Sequence, residues 1–262
     1  MPEKTPFTSS AGAEVARSAA GSKRRVRPRK RETLREKSVR AQRIAKRLAL
    51  AYPKVECPLI HRNHFELLVA VMLSAQCTDA AVNKVTPELF RCYPDPASLS
   101  GASTHDIEAL IRTLGLFRAK AKSLQLCARQ LIDENGGRVP STMEQLTRLA
   151  GVGRKTANVM LGHAFGAPAI AVDTHCKRLA NRLGLSRNQD PTKIEDDLGE
   201  LLPPEEWTGF SHRLILHGRS VCYAHKPACE RCVLKEFCPS KEISSGSARG
   251  DGEENPTGKP AS

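Results

Sequence analysis

The 262-residue chain contains no run of about eighteen apolar residues, which excludes a membrane-spanning helix. Met1 to Ala20 lack the apolar stretch of a secretory leader. The expectation is therefore a protein that is not exported, whose nine cysteines act as thiols or metal ligands before they act as disulfides. Strand signals are almost absent and no internal repeat is present, so the remaining periodicity is that of helices. Aromatic residues are scarce at 4%. That shortage excludes little, because the aliphatic share is ordinary and a chain of this length can bury one large core or two modest ones.

Charge is plentiful but uneven. The formal net charge is +13, and residues 1–50 hold 15 Lys and Arg against 4 Glu, which leaves 26 basic and 24 acidic residues beyond Leu50. The run from Lys23 to Arg31 is too repulsive and too poor in apolar groups to fold, and it suits an anionic polymer. A solubilising tail, a nuclear address or a transit sequence has the same composition.

From about Glu36 to the last cysteines the pattern is helical. Phe65 to Ala75 is apolar nearly all round, which predicts a central helix buried on every side. Leu124, Cys127, Ala128, Leu131 and Ile132 predict an amphipathic helix stopped by Asn135-Gly136-Gly137. Ser141 with Glu144 reads as a capping box for a short helix that turns Leu146 and Leu149 inward. Another helix follows Gly151-Val152-Gly153 at once and stops near Gly166. Asp173 then caps a helix that carries Cys176, Leu179, Ala180 and Leu183 inward and closes at Gly184. Asp190-Pro191 starts a further helix, Pro203-Pro204 stops it, and the last long helix aligns Trp207, Phe210 and Leu214.

Cys222, Cys229, Cys232 and Cys238 lie within seventeen residues as C-x6-C-x2-C-x5-C, with prolines and loop formers between them. Four thiolates so close can wrap one compact centre, and spacing alone does not choose between zinc and an iron–sulfur cluster. Cys57, Cys77, Cys92, Cys127 and Cys176 stand singly and read as small buried hydrophobes.

The segment Leu149-Ala150-Gly151-Val152-Gly153-Arg154-Lys155-Thr156-Ala157 places a bare backbone turn at a helix N-terminus, where amide N–H groups and the helix dipole favour a phosphate. No strand precedes it and the spacing is not that of a nucleotide loop. A purely structural turn has the same residues. Lys155 sits in the first helical turn, where the dipole disfavours a cation and Arg154 adds repulsion. Both favour the neutral amine that a nucleophile needs. A further phosphate contact is the bland alternative. Asp173 can both cap its helix and face the amine, accepting a proton and stabilising positive charge on a sugar. His175 reads as structural.

With these features in this order the sequence resembles the helix-hairpin-helix DNA glycosylase superfamily, in its bacterial endonuclease III branch. The resemblance covers roughly Glu36 to Pro239. It rests on Leu73-Ser74-Ala75-Gln76-Cys77-Thr78-Asp79, the hairpin segment, Val172-Asp173-Thr174-His175 and the cysteine spacing. It implies an all-α fold of two helical domains flanking a DNA-binding cleft, with a helix-hairpin-helix motif and an iron–sulfur loop. It implies a 4Fe-4S cluster on Cys222, Cys229, Cys232 and Cys238, Lys155 as the Schiff-base lysine and Asp173 as the catalytic aspartate. Gln76 corresponds to the residue that fills the gap in the duplex and Leu116 to the apolar wedge; Gly151, Val152, Gly153 and Arg154 correspond to the backbone-binding hairpin. Ala150 departs from the family's usual proline but leaves both glycines in place.

The expected organisation is a basic, disordered arm over residues 1–35, a cluster domain over 36–56 plus 168–240, a six-helix domain over 57–167 and a disordered tail over 241–262. The expected activity is a bifunctional glycosylase and AP lyase of base excision repair. Its expected partner is double-stranded DNA with damaged bases or abasic sites, and it is expected as a monomer in a bacterial cytoplasm at the nucleoid; a nuclear or organellar form fits the arm as well. Two alternatives stay open. An adenine-mismatch glycosylase typically lacks lysine at this place and carries a further C-terminal domain, and a non-enzymatic DNA-binding module with structural zinc would be colourless.

Overall fold

The computed structural model describes residues 32–241, so the expectations for the arm up to residue 31 and for the tail from residue 242 lie outside the described residues. Among the described residues there are helices and no strands. Helix α1 (Leu34–Ala51) opens on a capping box: the Thr33 hydroxyl accepts the Glu36 N–H and the Glu36 carboxylate accepts the Thr33 N–H. Helix α2 (His64–Leu73) is buried from Phe65 through Leu73. Its one charged side chain, Glu66, is matched by Arg62, whose backbone N–H, Nε and Nη2 all donate to the carboxylate.

Against α2 pack α3 (Asp79–Cys92) and α6 (Phe117–Asn135), and α4 (Pro96–Gly101) and α5 (Thr104–Ile111) pack in turn on α6. Helix α6 closes at Gly136, whose φ of +57° is the left-handed cap that the Asn-Gly-Gly stop predicts. Helices α7 (Met143–Arg148) and α8 (Arg154–Ala164) meet across the glycine turn and complete this first apolar cluster with Leu146, Leu149, Val152 and Met160.

The second cluster gathers α1 with α9 (Thr174–Arg182), α10 (Pro191–Leu201) and α11 (Trp207–Ser220). Ile44 and Leu48 of α1 are fully buried beside Phe210 and Leu214 of α11, so the first helix joins the last ones. At about 25 cal/mol per Å² of apolar area removed from water, such interdigitated aliphatic faces carry the fold without help from aromatics.

Three local expectations are corrected. Of the five single cysteines Cys127 and Cys176 are buried, but Cys57 and Cys77 are half-buried and Cys92, at the end of α3, is exposed. The cap of α7 is Thr142, whose hydroxyl accepts the Gln145 N–H, and not Ser141 with Glu144; the helix starts one residue later because Thr142 is the residue held extended. Ile132 is 39% exposed. It falls in the last turn of α6 and lies over Gly137, whereas Leu124, Cys127, Ala128 and Leu131 are buried as the period predicts.

Candidate active site and cysteine loop

The hairpin turn requires glycine at one position for a reason inside the protein and leaves the other open. Gly151 has φ +76°, and a Cβ there would lie 2.9 Å from the Ser123 Cβ and 3.0 Å from the Met72 Cε. Gly153 has ordinary φ of −90°, and nothing lies within 4 Å of the place a Cβ would take. Space beyond Gly153 is thus free for a ligand. Gly153 supplies no side-chain cap to α8, so the opening N–H groups of that helix lack acceptors and face an approaching anion. Val152 itself is buried, and its N–H goes to the Leu149 carbonyl. Arg154 makes a paired contact with Glu195 of α10 at 2.9 Å, so its guanidinium is held by the protein.

One face of α8 and one face of α11 enclose a cavity of about 120 Å³. Lys155 opens the α8 face, followed by Asn158, Val159 and His163 at helical spacing; Thr208, Ser211, His212, Ile215 and Arg219 form the α11 face. Their approach is close because Gly162 has no side chain: a Cβ there would meet the Thr208 Cγ2 at 2.6 Å. Lys155 is exposed and its amine has no hydrogen bond or ion pair among the described residues. Asp173, half-buried, lines the same cavity. Its Oδ1 accepts the Cys176 N–H at 2.8 Å, capping α9. The second carboxylate oxygen is left for chemistry, so the cap and the site coexist in one residue. Asn158 fixes the two halves, since its side-chain amide donates to the Ile170 carbonyl and to Glu195, both at 2.9 Å. Across the rim Arg219 donates to Asp79 at 2.8 Å.

Among the described residues three that are not glycine adopt left-handed backbone: Gln76 (φ 56°), Leu116 (φ 58°) and Lys226 (φ 48°). Such conformations cost free energy and concentrate at functional positions. Gln76 is exposed and Leu116 is 59% exposed at the N-terminus of α6. The two loops are neighbours, since a Cβ on Gly115 would lie 4.0 Å from the Cys77 sulfur. Lys120 binds them together: it is buried, and its amine donates to the Leu73 carbonyl at 2.8 Å and to the Cys77 sulfur at 3.0 Å. Neither Lys120 nor Lys226 stands out in the sequence, because a lysine carries no local signal of burial or of backbone strain.

After α11 the chain forms short 3-10 turns and a loop in which Cys222, Cys229, Cys232 and Cys238 line one cavity of about 330 Å³. Burial pushes the Cys232 and Cys238 thiols up, and negative charge on the neighbouring sulfurs pushes in the same direction. Four mutually repelling sulfurs fit a positively charged centre placed among them. Among the described residues no three ligands converge to single-ion distance, whereas one tetrahedral zinc would draw all four sulfurs to about 2.3 Å from its nucleus. The open space between the sulfurs fits a polynuclear centre better. Nitrogen donors flank the set: Arg182 Nη1 lies 3.3 Å from the Cys222 sulfur, and His217 Nε2 lies 3.3 Å from that of Cys232. Tyr52 of the α1 C-terminus meets the other nitrogen of His217 at 3.0 Å.

Comparison with known proteins places this geometry. Residues 69–204 match the family model described as HhH-GPD superfamily base excision DNA repair protein. Endonuclease III of Synechocystis is 50% identical over 209 residues, covering 79% of this chain and 95% of that protein. Endonuclease III of Bacillus subtilis is 46% identical over 188 residues, covering 71% of this chain and 86% of that protein. The chain belongs to the HhH-GPD superfamily of base excision DNA repair proteins. Its activity is accordingly that of a DNA glycosylase. A solved structure described as a trapped endonuclease III–DNA covalent intermediate superposes with a TM-score of 0.75 at 44% identity, covering 78% of this chain and 98% of that one.

Lys155 and Asp173 thus line one cavity and the four cysteines a separate one beside Arg182 of α9. The histidines of the cavity escape sequence reasoning, because a lone histidine on a helix carries no sign of which wall it will face. None of the described helices is long and apolar enough to cross a membrane.

Proposed function

We propose that this chain removes oxidised pyrimidines from double-stranded DNA and nicks the resulting abasic sites, with Lys155 as nucleophile. The neutral amine attacks C1′ of the extruded nucleotide, the C1′–N bond breaks, and the base leaves with its electron pair and takes up a proton. Asp173 stabilises positive charge on the sugar and accepts a proton from the attacking amine. Nitrogen then expels the sugar oxygen to give the imine; loss of a proton at C2′ and departure of the 3′ phosphate complete β-elimination. The observation that carries this reading is the presence of Lys155 and Asp173 on the wall of one cavity, the amine without a protein partner and the carboxylate with one oxygen unspent. A covalent DNA intermediate named for an endonuclease III of the same fold supports it.

Gln76 and Leu116, on adjacent strained loops, would fill the space the nucleotide leaves. Gly151, Val152, Gly153 and Arg154 would set the backbone of the hairpin against phosphates, the glycines by direct approach and the other two by holding the turn. The cysteines Cys222, Cys229, Cys232 and Cys238 would hold a 4Fe-4S cluster, which supplies a crosslink among segments that share little apolar burial. The reading also includes a cluster domain over 36–56 plus 168–240 and a second domain over 57–167, supported by the two apolar clusters. It further includes a monomer acting at bacterial cytoplasmic DNA, and a DNA tether in the basic residues of 1–35.

Borohydride trapping tests the nucleophile. Wild type is expected to crosslink to DNA carrying an oxidised pyrimidine, and Lys155→Ala is expected to lose trapping and nicking by several orders of magnitude while still binding that DNA. Undiminished trapping in the variant would refute the assignment.

A further inference from the structure

Two imidazoles, one from each helix, line the cavity between α8 and α11. His163 and His212 stand edge to face, with ring centroids 5.2 Å apart at 78°. Among the described residues, His212 Nδ1 is the one buried side-chain nitrogen or oxygen without a hydrogen-bond partner. Its other nitrogen has no protein partner either, and it is not shut away, so Nε2 is the atom that can meet a ligand in the cavity His212 lines. Sealed from solvent with no partner in reach, Nδ1 is the nitrogen of the neutral ring that goes without a hydrogen, which leaves the N–H on Nε2.

No neighbour supplies an acceptor to Nε2, because each is committed elsewhere. Ser211 accepts the Ala171 N–H and donates to the Thr208 carbonyl. The Thr208 hydroxyl is engaged with Ala169. The Asn158 amide bridges Ile170 and Glu195, and Arg219 is paired with Asp79. At the mouth, Lys155 and Asp173 belong to the sugar in the reading given above. A cavity of about 120 Å³ suits a single ring, given that an engineered cavity of roughly 150 Å³ admits benzene.

We infer that His212 determines base specificity: its Nε2–H donates to a carbonyl oxygen on the edge of the extruded pyrimidine, with His163 as the wall that fixes the imidazole's orientation. This deepens the proposed function and rests on it. Burial, followed by the charges of His163 and Arg219, pushes His212 down to about 4, so the ring is neutral at physiological pH. A neutral imidazole carries one donor and one acceptor and suits an uncharged base. A reader of this kind adds nothing when no base is present, whereas a residue that only supports α11 matters for every substrate.

The experiment compares excision of an oxidised pyrimidine with nicking of a preformed abasic site, in wild type, His212→Phe, His212→Ala and His212→Asn. Phenylalanine and alanine are expected to lower kcat/KM for base excision at least about tenfold while abasic-site nicking changes less than about twofold, with partial recovery in the asparagine variant. The intact nicking activity reports that the variant is folded. Equal loss of both activities in the phenylalanine and alanine variants, or no loss of excision, would overturn the inference. A wild type that nicks abasic sites but excises no oxidised pyrimidine would instead sink the substrate reading on which it rests.

Discussion

The cleft wall and the cysteine loop are built on opposite principles. In the cleft wall each reactive group stands on a helix whose position is set by packing that is complete without any ligand. Lys155 leads α8, which is locked by Gly162 against Thr208 and by Asn158 against Ile170, and Asp173 is fixed by its own capping bond. The cysteine loop has only Leu234 fully buried among its residues between Cys222 and Cys238. Its backbone is held by arginines instead: Arg178 donates to the Cys222 carbonyl, and Arg182 to those of Tyr223 and Ala224. The contrast separates two ways to hold a site, one by preorganised packing and one by the cluster that the four cysteines would share in the proposed reading.

The largest effect expected from testing this contrast is on catalysis. Asp173→Asn preserves a capping oxygen for the Cys176 N–H, so α9 and DNA binding should stay as they are, while single-turnover excision falls about 10²–10⁴-fold. A fall in thermal stability of the same variant would mean that the cap, and not the carboxylate charge, is what matters. Next in size is removal of the loop's centre. Chelation and oxidation that bleach the visible absorption should open residues 222–238 to proteolysis and lower the stability of the α1, α9, α10 and α11 cluster by a few kcal/mol. Hydrogen exchange in α2 and α6 should be nearly unchanged. If both clusters loosen together, the loop is not a separate device.

The sequence makes the two sites unequally legible. Helix positions, the Asp173 cap, the hairpin glycines and the four cysteines are visible because each has a local rule: a period, a capping oxygen, a positive φ or a ligand spacing. The sequence places the start of α7 one residue early because Ser141 and Thr142 are equally good caps, and only the backbone dihedrals of the folded chain decide between them. The pairing of Arg154 with Glu195 and the burial of Lys120 against Leu73 join residues 41 and 47 positions apart, and no local rule reaches that far. The histidines of the cavity wall belong to the same category. Their role depends on what α8 and α11 leave unpaired after they pack.

Those histidines also give the smallest and most selective test of the contrast. His163 and His212 in the cleft wall and His217 beside the cysteine loop are all pushed down by burial, His212 and His217 to about 4. An unfolded histidine titrates near 6.5, so between about 6.5 and 4 the unfolded chain binds protons that the folded one refuses. Their stabilising contribution is therefore complete above about pH 6.5 and declines as pH falls toward 4, each group removing up to about 1.4 kcal/mol per pH unit. Carboxylates held low, such as Asp95 at its capping bonds, lose their contribution only below that window. Urea unfolding followed between pH 7.5 and 4.5 should thus show stability decreasing with acid, and His212→Phe should flatten the slope by about one proton. An unchanged slope in that variant would place the acid sensitivity at His163 or beside the cysteine loop instead of at His212.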